Sequence, residues 1–72
     1  MISFTSNQRY YFCSSPVDMR KDIDTLSEVV RSQMGLDPFL DESVFIFMSK
    51  NLRTMKILYR GRRRFELIKI RL

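Results

Sequence analysis

Seventy-two residues, 44% apolar and 29% charged with a net charge of +5, describe one domain, 1–72, near the lower limit at which a single core holds a fold. A domain of this size buries only about 60% of the surface its unfolded chain exposes, and the usual staples of small folds are missing: one cysteine, no histidine, no metal-ligand spacing. Partner contacts are therefore expected, and a metal or other cofactor is not.

The chain opens Met-Ile-Ser-Phe-Thr-Ser, without the basic and apolar segments of a signal peptide, and Cys13 has no second cysteine to pair with. Arg9 to Cys13 is aromatic-rich and ends in Ser14-Ser15-Pro16, so a first strand is expected there. Ser15-Pro16-Val17-Asp18 fits an N-cap followed by proline at the first helical position, and Asp18 itself is the alternative cap of a helix beginning at Met19. Met19, Ile23, Leu26 and Val30, widened by Val29 and Met34, form the apolar stripe of that helix, and Gly35 is its stop. Asp37-Pro38-Phe39 is a turn. Val44 to Met48 is apolar on both faces, which suits a central strand and is far short of the about 20 residues of a membrane-crossing helix. Met55, Ile57 and Tyr59 alternate with Lys56, Leu58 and Arg60 in a third strand. After a loop around Gly61, Phe65 to Leu72 alternates again, with Ile68, Ile70 and Leu72 on one face. The order is β-α-β-β-β, an α+β fold with one amphipathic helix packed on a small, mainly antiparallel sheet.

Charge is uneven along this order. Residues 1–49 carry four basic and seven acidic side chains, net −3, whereas residues 50–72 carry nine basic and one acidic, net +8. Like charge crowded into 23 residues repels itself until a polyanion or an acidic protein surface binds, and nucleic acid is the commonest such partner. The alternative is neutralisation by the acidic helix within the fold.

Enzyme chemistry has little to work with. Without histidine the familiar nucleophile and base pairs are missing. Asp22 and Asp24, two residues apart on a helix, point about 200° from one another and cannot clamp one metal ion. Two glycines and no Walker-type loop leave phosphate cradling by backbone amides unsupported. The chain therefore reads as a non-enzyme without a small-molecule substrate. Binding candidates are basic: Arg60, Arg62, Arg63 and Arg64 on a loop between two strands, Arg53 on another loop, and Lys56, Lys69 and Arg71 on an exposed sheet face. Arg20 and Lys21 fall in the first helical turn, where the macrodipole disfavours cations, so either an anion sits there or Asp18 and Asp24 pair with them locally. Of the aromatics, most should be core, with Tyr10, Tyr11 or Tyr59 able to face outward, and Cys13 reads as a small buried hydrophobe.

Tyr11 to Leu26, YFCSSPVDMRKDIDTL, resembles the motif Y-x-x-x-x-P-x-D-M-R-K-x-x-D-x-L of the TnpB accessory proteins of the insertion sequence 66 family. Its matching positions are Pro16, Asp18, Met19, Arg20, Lys21, Asp24 and Leu26. Gly35, Asp37 and Pro38 resemble that family's G-x-D-P turn, Val44 to Phe47 its V-F-V-F strand, Lys56-Ile57-Leu58 its K-I-L, and Phe65, Leu67 and Arg71-Leu72 its F-x-L-x-x-K-R-L. The resemblance implies an accessory role beside a separate, larger transposase that cleaves and joins DNA. Ile70 stands where the family usually has lysine, family members often run on beyond the position of Leu72, and the arginine cluster at 60–64 replaces an acidic or glycine-rich loop. The resulting expectation is a bacterial accessory protein that binds DNA through basic residues and assists the transposase. Its rival is a protein-interaction module that docks on the transposase or pairs with a second copy through an unpaired edge at Phe65 to Leu72.

Overall fold

The computed structural model describes residues 8–40, 42–61 and 64–72. The elements are β1 (Arg9–Phe12), α1 (Ile23–Ser32), β2 (Ser43–Met48), β3 (Thr54–Arg60) and β4 (Phe65–Arg71), in one four-stranded sheet of order β1-β2-β3-β4. The β-α-β-β-β order and the central place of β2 match the sequence reading. One pair departs from an antiparallel sheet: β1 and β2 run parallel, from Arg9 beside Ser43 to Phe12 beside Ile46. The helical crossover is the reason, since it carries the chain back to the end from which β1 started. The β2–β3 and β3–β4 pairs, joined by short loops, are antiparallel.

The helix also starts later than either cap read from the sequence. Asp22 is the N-cap, its carboxylate accepting from the Thr25 amide at 3.2 Å and the Thr25 hydroxyl at 3.1 Å. Asp18 instead closes a turn over Asp18-Met19-Arg20-Lys21: its carbonyl accepts from the Lys21 amide at 3.1 Å and its carboxylate from the Arg20 amide at 2.9 Å. Asp competes for nearby amides in this way wherever the chain is not already helical. At the other end Gly35 takes φ +65°, a conformation that costs glycine little, and turns the chain so that the Leu36 amide reaches the Val30 carbonyl at 3.1 Å. Asp37 then builds the next turn, accepting from the amides of Phe39 and Leu40, while the Pro38 ring is fully buried.

Alternation along the strands divides the sheet into two faces. Leu26, Val29 and Val30 of α1 pack with Phe45 and Phe47 of β2, Leu58 of β3, and Cys13 and Val17 of the crossover. Tyr11, stacked on Phe45 at 5.5 Å between ring centroids, and Phe65 and Leu67 of β4 close the rim of this core. Phe12, Ile46, Ile57 and Ile68 lie side by side across the opposite face, followed by the row Met48, Met55, Ile70. No helix among the described residues is long and apolar enough to cross a membrane.

Leu26 is wholly buried at the centre of the helix–sheet contact. Truncation of such a side chain costs roughly 2–5 kcal/mol, a large part of the about 5–15 kcal/mol that holds a domain folded. Leu26→Ala is therefore expected to leave the protein largely unfolded or marginal in urea denaturation, whereas Leu52→Ala, at an exposed loop position, shifts stability by less than about 0.5 kcal/mol.

Candidate nucleic-acid interface

The basic residues singled out from the sequence fall into two groups at opposite ends of β3. At its start, Arg53 lies on the β2–β3 loop, and its carbonyl accepts from the Leu72 amide at 2.7 Å. Arg71 is opposite Thr54 and Lys69 opposite Lys56. The Asp18–Lys21 turn meets the same place, because the Lys56 ammonium donates to the Lys21 carbonyl at 2.6 Å. Arg71, Lys69 and Lys56 thus share the helix side of the sheet, with the Asp18–Lys21 turn meeting it at Lys56 and Arg53 on the loop at its start. Arg60 and Arg64 sit at the far end of β3, about 20 Å away at strand rise. Arg62 and Arg63 lie outside the described residues.

Lys56 corrects the sequence reading. It was expected on an exposed sheet face with Lys69 and Arg71, and the alternation is right, but that face is the one α1 covers. Lys56 is only 8% exposed and ties the turn before the helix to β3, while Lys69 and Arg71, on the edge strand beyond the helix, are exposed. Arg20 and Lys21 likewise precede the helix and do not occupy its first turn. The Arg20 guanidinium pairs with Asp18 and not with Asp24, through Nε at 3.1 Å to both carboxylate oxygens and Nη2 at 2.7 Å to Oδ2. With the Arg20 side chain 91% exposed, such a pair is weak in stability terms.

Elsewhere three of the described arginines are occupied, while Arg9 of β1 is exposed with no described carboxylate within 4.0 Å. Arg31 pairs with Glu28 at 2.9 Å and Arg64 with Glu66 at 3.3 Å. Arg60 donates to the Gly61 carbonyl and lies 5.5 Å over the Phe65 ring. Phe65 packs on Phe39 at 5.3 Å, and Arg31 covers the other ring at 5.6 Å, so two guanidiniums flank two aromatics. This ladder was not read from the sequence: its members are far apart in the chain and follow no single periodicity. Lys50, exposed beside Asn51 in the β2–β3 loop, was also passed over, though its place in a Lys-Asn-Leu-Arg turn marks it as a neighbour of Arg53. Among the described residues, no carboxylate lies within 4.0 Å of Lys21, Lys50, Arg53, Lys56, Lys69 or Arg71. Nor do three or more Cys, Asp or Glu side chains come together there as metal ligands.

Of the outward-facing aromatics, Phe12 is the most exposed at 61%, although the sequence suggested only the tyrosines for that role. Cys13 is buried as expected, its thiol donating to the Ser15 carbonyl at 3.4 Å.

The model of the family described as IS66 Orf2-like protein matches residues 8–72 of the chain. The chain belongs to the IS66 Orf2-like family. The match takes in every element of the fold, and with it comes the family's role as an accessory protein in transposition. No curated protein and no solved structure matches the chain significantly. In the fold, the polar family positions are mostly turn builders. Asp18, Gly35 and Asp37 shape backbone turns, Pro38 is core, and Lys56 joins the D-M-R-K turn to the K-I-L strand. Arg20, Lys21 and Asp24 keep side chains facing solvent wholly or in part.

Two tests follow from these contacts. Lys56→Met keeps an apolar stem but leaves the Lys21 carbonyl without its charged donor; the expected cost is about 1.5–3 kcal/mol, against less than about 0.5 kcal/mol for Lys69→Met, read by chemical denaturation. Asp18 is held well below the usual carboxylate range, first by the Arg20 side chain and then by the Arg20 amide, and Asp22 is lowered by the Thr25 amide and hydroxyl. Both folded values lie below the unfolded 3.8, so the unfolded state binds more protons in acid. The stability these groups contribute is complete above that value and is lost as pH falls below it towards the folded values. A pH series of melting curves should show this decline, and Asp22→Asn, which caps without titrating, should make it shallower.

Proposed function

We propose that this transposition accessory protein acts by binding DNA, chiefly through phosphates, along the basic residues that run from Arg53 and Arg71 through Lys69 to Lys21 and Arg20. It thereby positions or assists the transposase in the bacterial cytoplasm. The observation that carries this reading is the state of the cations. Arg31, Arg60 and Arg64 are occupied by Glu28, Glu66 or aromatic rings, whereas Arg53, Lys69 and Arg71, and Arg9 at the other end of the sheet, are exposed with no described carboxylate in reach. Lys69 also faces Lys56 directly across the strand pair, a like-charge contact that an anion would relieve. Arg60, on the same face at the other end of β3, would be a second contact point, joined by Arg64 and by Arg62 and Arg63, which lie outside the described residues. A duplex is the fitting partner because both groups present point charges or guanidiniums and no base-reading helix, so contacts of this kind fix position without reading sequence.

A second reading, an interaction module that docks on the transposase, is favoured by the apolar outer face of the sheet. The discriminating experiment is fluorescence anisotropy with element-end DNA and a scrambled duplex across a salt series. Binding should weaken steeply with salt, and Lys69→Ala with Arg71→Ala should weaken it equally on both duplexes and reduce the log–log salt slope by about 2, near 0.9 per phosphate contact. Absence of binding at low salt would overturn the DNA reading and leave the transposase as the partner to seek.

A further inference from the structure

β4 is the last strand of the sheet, and the phase of its ladder to β3 says which backbone groups reach the free edge. The Leu72 amide donates to the Arg53 carbonyl at 2.7 Å and the Gly61 amide to the Arg64 carbonyl at 2.9 Å, so Arg53–Leu72 and Gly61–Arg64 are hydrogen-bonded pairs. Alternation along the unbroken register between them turns the even-numbered residues of β4 towards β3. The amides and carbonyls of Phe65, Leu67, Lys69 and Arg71 therefore point away from it. Among the described residues, nothing hydrogen-bonds to these outward groups. β1, at the other edge, has four residues, whereas β4 has seven, with no proline, glycine or bulge and no fully buried residue. Edges of this length are usually shortened, kinked or covered. Here the protecting feature is charge: Lys69 and Arg71 are exposed on the helix side of the edge with no described carboxylate within 4.0 Å.

We propose that this edge docks an extended, acidic segment of a partner protein, which adds as a fifth strand beside β4. Two observations select that occupant. The first is that donors and acceptors alternate along the edge. A neighbouring strand answers both, whereas phosphates, which only accept, leave the outward carbonyls facing oxygen. The second is charge placed by register. A strand laid beside β4 sets every second side chain on the helix side, next to Phe65, Leu67, Lys69 and Arg71, and the others next to Glu66, Ile68 and Ile70. Carboxylates beside Lys69 and Arg71 complete two cross-strand ion pairs and relieve the contact of Lys69 with Lys56, while apolar side chains suit Ile68 and Ile70. A second copy of β4 does not fit this pattern. Antiparallel pairing through the outward groups sets odd-numbered residues opposite odd-numbered ones, so both copies bring Lys69 and Arg71 to one face while Glu66 stays on the other. The inference gives the docking reading of this protein its edge and its partner chemistry, and rests on that reading; DNA contact is decided separately by the salt series.

The test is amide hydrogen exchange on the full chain by NMR, with and without a capped peptide of sequence Glu-Val-Glu-Val-Glu-Val-Glu. In the free protein the Phe65, Leu67, Lys69 and Arg71 amides should exchange at least about 10-fold faster than those of Glu66, Ile68 and Ile70, and saturating peptide should slow the four outward amides at least about 10-fold. The corresponding Lys-Val peptide should bind at least about 10-fold more weakly. N-methylation of alternate peptide amides is diagnostic of strand addition: the set facing the protein abolishes binding and the other set leaves it. Lys69→Pro removes an outward amide that no β3 carbonyl uses, so it should fold and bind the peptide at least about 10-fold more weakly, against less than about 5-fold for Lys69→Ala, which removes the charge alone. If the proline variant fails to fold, the two N-methylated peptides carry the same distinction. Outward amides already protected in dilute free protein would mean that the chain covers its own edge, and protection that grows with protein concentration alone would mean that a second copy does. Peptide binding indifferent to which amides are methylated, or equal protection by a scrambled duplex, would mean that Lys69 and Arg71 attract anions at large. Each of these overturns the proposal, as does absence of any protection by the peptide. A transposase that binds the chain and leaves the four amides exchanging freely overturns it too, while keeping the docking reading.

Discussion

One ten-residue helix against a four-stranded sheet is the constraint from which the rest of this structure follows. At 1.5 Å per residue α1 spans about 15 Å, enough to cover the middle of one sheet face and no more. Leu26, Val29 and Val30 therefore meet Phe45, Phe47 and Leu58, and the core is made there. Whatever the strands place beyond the helix on that face remains in water, which is why Lys69 and Arg71 are exposed. Whatever they place on the other face meets no described helix, although Val44 and Ile57 there are buried.

The same constraint gives Lys56 its unusual place. Its alternation puts it on the covered face, and a buried ammonium needs an acceptor. The turn before α1 supplies one in the Lys21 carbonyl. Two stretches of sequence 35 residues apart are thereby locked in register, and the entry angle of the helix is set from β3. Asp18 and Asp22 complete that entry, one by closing the turn and the other by capping the helix. Much of what looks like charge chemistry in the family pattern is thus backbone geometry, and the cations with no internal role are fewer than the sequence suggests.

The elements themselves were legible because each carries a local signal. Period-two alternation marks β3 and β4, a doubly apolar run marks β2 as central, and the step of three and four from Ile23 to Val30 marks the helix. The helix start was misplaced because Pro16 and Asp18 imitate a cap, while Asp22, the true one, is embedded among polar residues that look helical. The direction of β1 depended on where a crossover returns, which no strand records in its own residues. The ladder of Arg31, Phe39, Phe65 and Arg60 joins the helix, a turn and two strands and leaves no trace in any one of them.

Composition, alternation and the ordered motifs by themselves determined the α+β class, the central strand, the turn residues and membership of the transposition accessory family, since each depends on neighbours in the chain. Only the tertiary structure decided which basic residues are free. Exposure of a strand residue depends on whether the helix lies over it, so Lys56 and Lys69, alike in sequence and adjacent in space, end with opposite roles. It likewise decided that the strand cations share one face with the helix-covered core, because that sorting comes from the register between strands and not from any strand alone.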